Sequence, residues 1–226
     1  MRTDPEHILS HRQARAFYDR MGARQDSQAF YEDAATGIVL RHASFETARS
    51  VIELGCGTGR FAEKLLDDHL YPDAGYLGLD ASPTMAGLAG ERLARFGARA
   101  RVRLTDGSPK LDQPGGSVDR FVSNYVLDLL SWEDIRTVLE EAHRVLVPGG
   151  LLALVSLTRP FTPGSRLMMT GWRLLFRLSP SLVGGCRPIG LLESLPAPKW
   201  KVRHHERISR FGIPSEVVVT ERVHGD

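Results

Sequence analysis

One stretch of the sequence, residues 51–61, reads VIELGCGTGRF. It starts as a short apolar strand, continues through glycines at every second position, and leads into Arg60–Asp68, whose apolar residues have helical spacing. A glycine-rich turn between a first strand and its helix is where an open α/β sheet binds a nucleotide-like ligand. Glycine permits positive φ and close approach of the ligand, and the free amides of the helix favour an anionic group.

Strands and helices alternate from residue 49 to residue 157. Further strands are predicted at Tyr76–Asp80, Arg101–Leu104, Val118–Asn124 and Leu151–Leu157. Helices are predicted from Pro83 to Arg95, with Ser82 as the N-cap, and over Trp132–Leu146, closed by the turn Pro148-Gly149-Gly150. Five such alternations with short turns indicate an open α/β sheet with right-handed crossovers.

Helices and a hairpin flank this core. An N-terminal helical cap is predicted from helices at His7–Met21 and around Tyr31–Arg41. The tail predicts helices and then an antiparallel hairpin, at Gly164–Leu178, Pro188–Leu195, Trp200–Phe211 and Ser215–Val223. We therefore expect a single domain over residues 1–226, with the cap at 1–48, the core at 49–157 and the tail at 158–226.

The composition is that of an ordinary globular protein. Of the 226 residues, 42% are hydrophobic and 25% charged, which excludes collagen, coiled-coil and disordered classes. The two cysteines, Cys56 and Cys186, exclude a disulfide scaffold or a cysteine-based zinc site. The polar N-terminus and the lack of a long apolar run predict a cytoplasmic protein with no signal peptide or membrane span.

Charge is uneven along the chain although the net charge is only +2. Residues 31–155 carry thirteen Lys or Arg against eighteen Asp or Glu, whereas residues 156–226 carry eleven against five. An anionic partner or surface would therefore meet the last third of the chain. A solvated basic face without a partner explains the same pattern.

Two classes of ligand fit the glycine turn. Dinucleotide sites use G-x-G-x-x-G, whereas here the glycines follow G-x-G-x-G and Arg60 occupies the sixth position. Asp80 lies 21 residues after Gly59, at the predicted end of the second strand. It suits a ribose diol in either class and does not discriminate between them.

The first motif, Glu53-Leu54-Gly55-Cys56-Gly57-Thr58-Gly59, resembles that of class I S-adenosylmethionine-dependent methyltransferases. The resemblance continues through segments in the same order, at Gly78–Ser82, Thr105-Asp106-Gly107, Val118–Asn124 and Glu141–Gly150. It covers about half of the chain and is strongest for the small-molecule branch that includes quinone C-methyltransferases. It implies a doubly wound, mostly parallel, seven-stranded Rossmann-like α/β sheet with a C-terminal antiparallel hairpin, and S-adenosylmethionine as cofactor.

The resemblance also implies roles for individual residues. Gly55, Cys56, Gly57 and Gly59 would line the methionine part of the cofactor, and Glu53 would hold its ammonium group. Asp80 would accept the ribose hydroxyls, with Ala81 beside the adenine, Asp106 and Gly107 at the adenine amino edge, and Asn124 under the sulfonium. A turn aspartate and a strand-end cap are the alternative interpretations of Asp106 and Asn124.

Residues for the acceptor side are less defined. No general base is identified, and there are two candidates. One is Asp128, and the other is His204 with Glu206. Strand alternation places His204 and Glu206 on one face with Trp200. Tyr18 and Tyr31 of the cap are predicted to line the acceptor pocket, and ordinary packing explains them equally well. The adjacent histidines cannot chelate one metal together, and no metal site is predicted.

The segment Arg166–Leu178 has a wide apolar face, which includes Trp172, and a narrow stripe of Arg166, Thr170, Arg173 and Arg177. An ordinary helix packed on the sheet explains the pattern. The alternative is a lid over a hydrophobic acceptor, or an interfacial helix that contacts a membrane surface. On this alternative, Trp172 contributes to the lid.

The leading hypothesis is a methyltransferase that acts on a small, hydrophobic molecule, with no obligate partner. A nucleic-acid methyltransferase is the second hypothesis, on the basic tail, although the strand-four end lacks the paired prolines of that type. A non-catalytic subunit that binds S-adenosylmethionine is the third. A dehydrogenase comes last, because the sixth glycine is missing.

Overall fold

A computed structural model of the chain describes residues 9–178, 185–196 and 198–223. Its described part contains seven strands in one sheet, in the order β3-β2-β1-β4-β5-β7-β6. The strands are β1 Ser50–Leu54, β2 Gly75–Asp80, β3 Ala100–Leu104, β4 Val118–Asn124, β5 Leu146–Leu157, β6 Trp200–Arg210 and β7 Ile213–Arg222. The pairs among β1 to β5 are parallel, and β7 pairs antiparallel with both β5 and β6. The predicted fold class is confirmed.

The helices follow the sequence signals closely. They are α1 His11–Met21, α2 Ala29–His42, α3 Arg60–Asp68, α4 Pro83–Leu93, α5 Trp132–Val145, α6 Pro163–Leu178 and α7 Leu191–Ser194. Serine N-caps start three of them: Ser10 with its capping box, Ser82 before Pro83, and Ser131. Among the described helices, none combines the length and the apolar character needed to cross a bilayer.

The helix and strand boundaries differ from the prediction by more than two residues at three places. Strand β5 begins at Leu146, not Leu151, because Leu146 pairs with Val118 of β4. The Pro148-Gly149-Gly150 segment lies within β5, where the register between β4 and β5 shifts. The helix predicted at Pro188–Leu195 shortens to α7. The prediction that α1 starts at His7 lies partly outside the described residues, and the helix begins at His11 behind the Ser10 cap.

The sheet separates two hydrophobic cores. One face packs against α2 and α3, with Ala35, Leu65, Val51, Val122 and Val217 among its buried residues. The other packs against α5, with Ile135, Ile52, Phe121, Leu152 and Val218. Neighbouring residues in one strand therefore enter opposite cores, as the period-two geometry of a strand requires.

The hairpin contains a bulge that the alternation rule did not anticipate. The β6–β7 register shifts between Val202 and His204, so the residues on either side of the bulge change faces. Trp200 packs edge-on against His143 in the α5 core, whereas His204 stacks on His42 of α2 with ring centroids 3.7 Å apart. The expectation that Trp200 and His204 share a face is wrong.

The N-terminal cap is fastened to the carboxyl ends of the parallel strands. Asp26, in the 3-10 turn Gly22–Gln28 between α1 and α2, accepts hydrogen bonds from Thr58 at 2.5 Å and from Arg92 at 2.6 Å. Asp19 of α1 accepts a hydrogen bond from Ser82 at 2.5 Å. The cap therefore closes over the point where the strand order reverses between β1 and β4, which is the expected ligand site of such a sheet.

Candidate active site

A cavity of about 240 Å³ lies between the cap and the carboxyl ends of β1, β2 and β4. Its lining includes the glycine turn after β1, Asp80 at the end of β2, and Asn124 at the end of β4. Its lining also includes three tyrosines, two carboxylates and a cysteine, which we call the acceptor chamber: Tyr18, Tyr31, Glu32, Tyr125, Asp128 and Cys186. One cavity is thus lined by two chemically different groups of residues.

The glycine turn is required by its geometry. Gly55 has φ +73°, and a Cβ there would lie 2.2 Å from a methyl carbon of Val126. Gly59 has φ +78° and forms the N-cap of α3, where a Cβ would lie 3.1 Å from the Cα of Ala89. A side chain at position 55 would displace Val126, and one at position 59 would press on the backbone of α4, so both positions suit glycine.

Asp80 is held rigidly beside this turn. One carboxylate oxygen accepts a hydrogen bond from the Gly57 amide at 2.8 Å, and the other accepts one from the Ser82 amide at 2.9 Å. Burial raises the pKa of Asp80 above its ordinary value, while these amides oppose the rise. A carboxylate has about four lone-pair directions, so each oxygen keeps capacity for a further donor such as a ribose hydroxyl.

Glu53 forms a buried polar link between β1 and β4. Tyr76 donates a hydrogen bond to it at 2.6 Å, and the side-chain amide of Asn124 donates another at 3.2 Å. Burial raises the pKa of Glu53 to about 7. The amide oxygen of Asn124 has no hydrogen-bond partner within the described residues. Glu53 and Asn124 therefore present acceptors to a donor such as an ammonium group.

The wall beyond Asp80 consists of small residues. Ala81, Thr105 and Gly107 line the cavity there. Asp106 is exposed, is not among the lining residues, and accepts a hydrogen bond from the Ser108 amide at 2.8 Å. In this structure Asp106 is therefore a turn aspartate, the alternative interpretation given for it. Its neighbours Thr105 and Gly107 line the cavity.

Both cap tyrosines named from the sequence line the cavity. The Tyr18 hydroxyl lies 3.9 Å from the Cys186 sulfur, and the Tyr31 ring meets the Tyr125 ring edge-on at 5.6 Å. Tyr125 follows β4 with φ +56°, in a left-handed conformation that is unusual for an aromatic residue. Its hydroxyl is held by Ser215 at 2.8 Å, which fixes the ring in this position.

Two carboxylates share the chamber. Asp128 is fully buried; one oxygen accepts a hydrogen bond from the Leu157 amide at 3.3 Å, and the other has no partner within the described residues. Glu32 lies 3.8 Å from Arg60 and accepts a hydrogen bond from Tyr31. Burial raises the pKa of Asp128 and of Glu32 to about 7 each. Both groups can therefore exchange a proton near neutral pH.

The other base candidates lie elsewhere. His204 and Glu206 contact each other at 3.2 Å on the hairpin, and neither lines the cavity. Of the base candidates taken from the sequence, only Asp128 is in the cavity. Within the described residues no cluster of metal-ligating side chains occurs.

Trp172 contacts the backbone of Cys186, a residue of the acceptor chamber. It is not a lining residue, but its indole N–H donates to the Cys186 carbonyl oxygen at 3.1 Å. Helix α6 thus touches the site through the backbone of Cys186. The side chain of Arg177, part of the predicted basic stripe, lies outside the described residues, whereas Arg166 and Arg173 are exposed.

Sequence reasoning missed Glu32, Tyr125 and Cys186. Glu32 follows Tyr31 in a helix of ordinary composition. Cys186 is one of only two cysteines in the chain, and no motif around it indicated a role. The segment Ser123-Asn124-Tyr125 could have indicated Tyr125, because residues that follow a parallel strand lie at the edge of the sheet where ligands bind.

Comparison with known proteins identifies the core. A family model described as a methyltransferase domain matches residues 51–150. The carboxy-S-adenosyl-L-methionine synthase of Chromohalobacter salexigens is 37% identical over 120 residues, which cover 52% of this chain and 42% of that protein. The malonyl-[acyl-carrier protein] O-methyltransferase of Dechloromonas aromatica is 36% identical over 107 residues, or 47% of this chain and 36% of that protein. The match thus spans less than half the length of these two relatives.

Among solved structures, the N-methyltransferase NodS of Bradyrhizobium japonicum, in complex with S-adenosyl-L-homocysteine, has a TM-score of 0.70. It is 18% identical, and the match covers 93% of this chain and 99% of that one, which shows a shared fold. The segment that matches the family model contains the glycine turn, Asp80 and Asn124. Residues 51–150 therefore match a methyltransferase domain, and the chain shares the fold of a solved methyltransferase.

Proposed function

We propose that this protein transfers a methyl group from S-adenosylmethionine to a small-molecule acceptor. The observation that carries the proposal is the single cavity that joins the glycine turn and Asp80 to the acceptor chamber. When bound, S-adenosylmethionine supplies a methyl group that its sulfonium has already activated. The protein's own task is then to position the acceptor and to exclude water.

The methionine part of the cofactor fits the glycine-turn end of the cavity. The turn amides at the start of α3 suit its carboxylate, since a helix N-terminus favours negative charge. Glu53 and the free amide oxygen of Asn124 suit its ammonium group. The residues assigned to this part are Glu53, Gly55, Cys56, Gly57, Gly59 and Asn124.

The nucleoside part fits the β2 and β3 ends. We assign the ribose hydroxyls to the Asp80 carboxylate, whose position is fixed by two backbone amides. Ala81 and Gly107 leave a flat space for the adenine. The Asp106 carboxylate would have to leave its hydrogen bond to Ser108 to reach the adenine amino group.

The acceptor is proposed to have a hydrophobic body. Besides the tyrosine rings, Leu129, Leu130 and Leu157 line the cavity. Apolar surface gains about 25 cal/mol per Å² on burial, so such a wall selects for an apolar body. Trp172 would act on this selection indirectly, because it holds the backbone of Cys186 from behind.

Contact with a membrane surface is proposed for helix α6. Its exposed face includes Leu167 and Leu174, at 80% and 62% exposure, together with Arg166 and Arg173. Phe30 and Phe211 meet at 5.4 Å and are also exposed, and Gly212 next to Phe211 adjoins Met168 of α6. An apolar patch with arginines suits a bilayer that carries anionic lipids, at the cytoplasmic face.

The deciding experiment combines ligand binding with a transfer assay. Calorimetry should show binding of S-adenosylmethionine and S-adenosylhomocysteine, and none of NAD. A screen of small molecules with the labelled methyl donor should then detect label transfer. Binding of NAD without S-adenosylmethionine would overturn the proposal, and binding without transfer to any acceptor would favour a non-catalytic binding subunit.

A further inference from the structure

The acceptor chamber carries more negative than positive charge. Asp128 is fully buried, Glu32 is mostly buried, and both line the cavity. Arg60 lies 3.8 Å from Glu32, but its other nitrogen is committed to Asp33 at 2.6 Å. No ion pair to Asp128 is formed within the described residues. Arg187 is the cation that acts on Asp128. It stacks over Trp132 at 4.7 Å, donates a hydrogen bond to the Leu130 carbonyl, and does not line the cavity.

The second observation is an unpartnered oxygen. Asp128 is 0% exposed, lines the cavity and leaves one carboxylate oxygen without a hydrogen bond within the described residues. A buried acceptor of this kind costs free energy until a donor reaches it. A cationic N–H donor satisfies it best, because hydrogen bonds between charged groups are roughly twice as strong as neutral ones.

The third observation is the set of aromatic rings. Tyr18, Tyr31 and Tyr125 surround the same space, and each hydroxyl already has a protein partner, in Cys186, Gln28 and Ser215 respectively. The rings therefore offer the acceptor their π-systems more than their hydroxyl groups. Aromatic rings with nearby carboxylates form the arrangement that proteins use to bind ammonium ions.

On the basis of the methyl transfer proposed above, we propose that the acceptor is an amine and that the protein methylates nitrogen. Asp128 accepts a proton from the bound ammonium group, which leaves a neutral amine with a lone pair. That lone pair forms the new N–C bond to the methyl group while the C–S bond breaks and its electron pair stays on sulfur. The product is an N-methylated ammonium ion, and the proton stays on the Asp128 carboxyl until solvent removes it.

The charge change of this reaction suits the chamber better than that of an oxygen acceptor. An enolate, phenolate or carboxylate acceptor would place a third negative charge beside Glu32 and Asp128, which like-charge repulsion opposes. An amine enters the chamber as a cation that both carboxylates attract, and the product is a cation beside ionised Glu32 and protonated Asp128. Glu32, the second carboxylate of the lining, therefore adds to the attraction for a cation.

Three probes that share one ring and differ in charge test this inference by binding alone. Benzylamine, benzyl alcohol and benzoate are titrated into the protein saturated with S-adenosylhomocysteine. We expect benzylamine to bind at least about tenfold more tightly than benzyl alcohol, in line with one charge-assisted hydrogen bond, and benzoate to bind most weakly. Any other order, including no binding of benzylamine, overturns the inference.

Variants locate the effect. Asp128→Asn keeps the shape and should reduce benzylamine affinity about tenfold or more, with less than about threefold change for benzyl alcohol. Glu32→Gln is the second variant, should Asp128→Asn not fold, and we expect it to show the same selective loss. Asp73→Asn, at a surface carboxylate paired with Arg49, is the matched control and should change neither. Equal losses for both probes would assign Asp128 a packing role only.

The outcome is separable from that of the proposed function. Failure to bind S-adenosylhomocysteine would contradict the methyltransferase proposal itself. Normal cofactor binding with label transfer to an alcohol, a phenol or a carboxylic acid, and none to benzylamine, would keep that proposal and remove the amine assignment. Label transfer to benzylamine with a slower rate in Asp128→Asn would support both.

Discussion

The side-chain amide of Asn124 donates a hydrogen bond to Glu53 across the β1–β4 pair, where the strand order of the sheet reverses. Glu53 is 1% exposed, and burial raises its pKa to about 7 in spite of the donors Asn124 and Tyr76. A raised folded-state pKa means that this group favours the folded protein below about pH 4.5 and that the contribution is lost as the pH rises through about 7.

We expect the affinity for S-adenosylmethionine to rise with pH up to about pH 7. The ammonium group of the cofactor binds ionised Glu53, and an α-amino group with a pKa of about 7.7–8.0 is still protonated over this range. The slope should approach tenfold per pH unit at most. Calorimetry at several pH values measures it, and Glu53→Gln should flatten the curve. A wild-type curve that is already flat would remove Glu53 from the ammonium site.

Asp80 and Asp106 should differ sharply when replaced. Asp80→Ala should weaken cofactor binding by about 1.5–3 kcal/mol, the range for hydrogen bonds to a charged group. Asp106→Ala should change it less than about threefold, because its carboxylate is engaged with Ser108. Dissociation constants with unfolding curves for both variants check this. A comparable loss of affinity in Asp106→Ala would place that carboxylate at the adenine. An unchanged dissociation constant in folded Asp80→Ala would show that Asp80 does not bind the ribose.

The contacts of Asp26 with Thr58 and Arg92 should control how fast the cap opens. Asp26→Asn weakens a half-exposed pair, so the global stability should fall by less than about 1 kcal/mol. The dissociation rate of S-adenosylmethionine should nevertheless increase severalfold, because the cap covers the cavity. Asp67→Asn breaks a similar pair with Arg95 that does not touch Thr58, and serves as the control. Equal dissociation rates in the two variants would show that the link does not gate the site.

Trp172 should affect the acceptor and not the cofactor. Trp172→Phe removes the hydrogen bond to Cys186 while keeping an aromatic ring. We expect a higher KM or a lower kcat for the acceptor found in the label screen, with the cofactor dissociation constant nearly unchanged. Trp200→Phe, which packs against His143 and does not line the cavity, is the control. Joint loss of folding and cofactor binding would make α6 a packing element.

Vesicle binding tests the exposed face of α6. The protein should bind vesicles of phosphatidylglycerol more than those of phosphatidylcholine, and less as salt is added. Replacing Arg166 and Arg173 by glutamate should weaken this binding, whereas the same change at Arg101 and Arg136, also exposed, should not. Absence of binding by the parent protein would end the membrane proposal and leave the acceptor site untouched.

Local sequence signals predicted the parts of the fold that local physics controls. Strand β4 and helix α3 have the predicted bounds, and Ser82 caps α4 as expected, because strand patterning and capping depend on neighbouring residues. The bulge after Val202 is different. It depends on how β6 registers against β7, and one extra residue was enough to send His204 to the opposite face.

The candidate site likewise has one part that local sequence signals predicted and one part that they did not. The residues proposed for the cofactor, Glu53, Asp80 and Asn124, lie on three adjacent strands and line one cavity, so a motif and its spacing were sufficient to predict that they lie together. The chamber is built from segments far apart in the chain. Glu32 and Cys186 meet near Asp128 only through tertiary packing, and no periodicity in the sequence encodes that meeting.

The Tyr18–Cys186 contact has a consequence for how the molecule assembles. The two residues are separated by 168 positions. Contacts across such a separation carry a large loop-closure entropy and form after local ones. A growing chain can therefore complete the glycine turn and its neighbouring strands early, but it cannot close the chamber until the segment around residue 186 has emerged from the ribosome. Cofactor recognition and acceptor recognition thus mature at different times in the life of a single polypeptide.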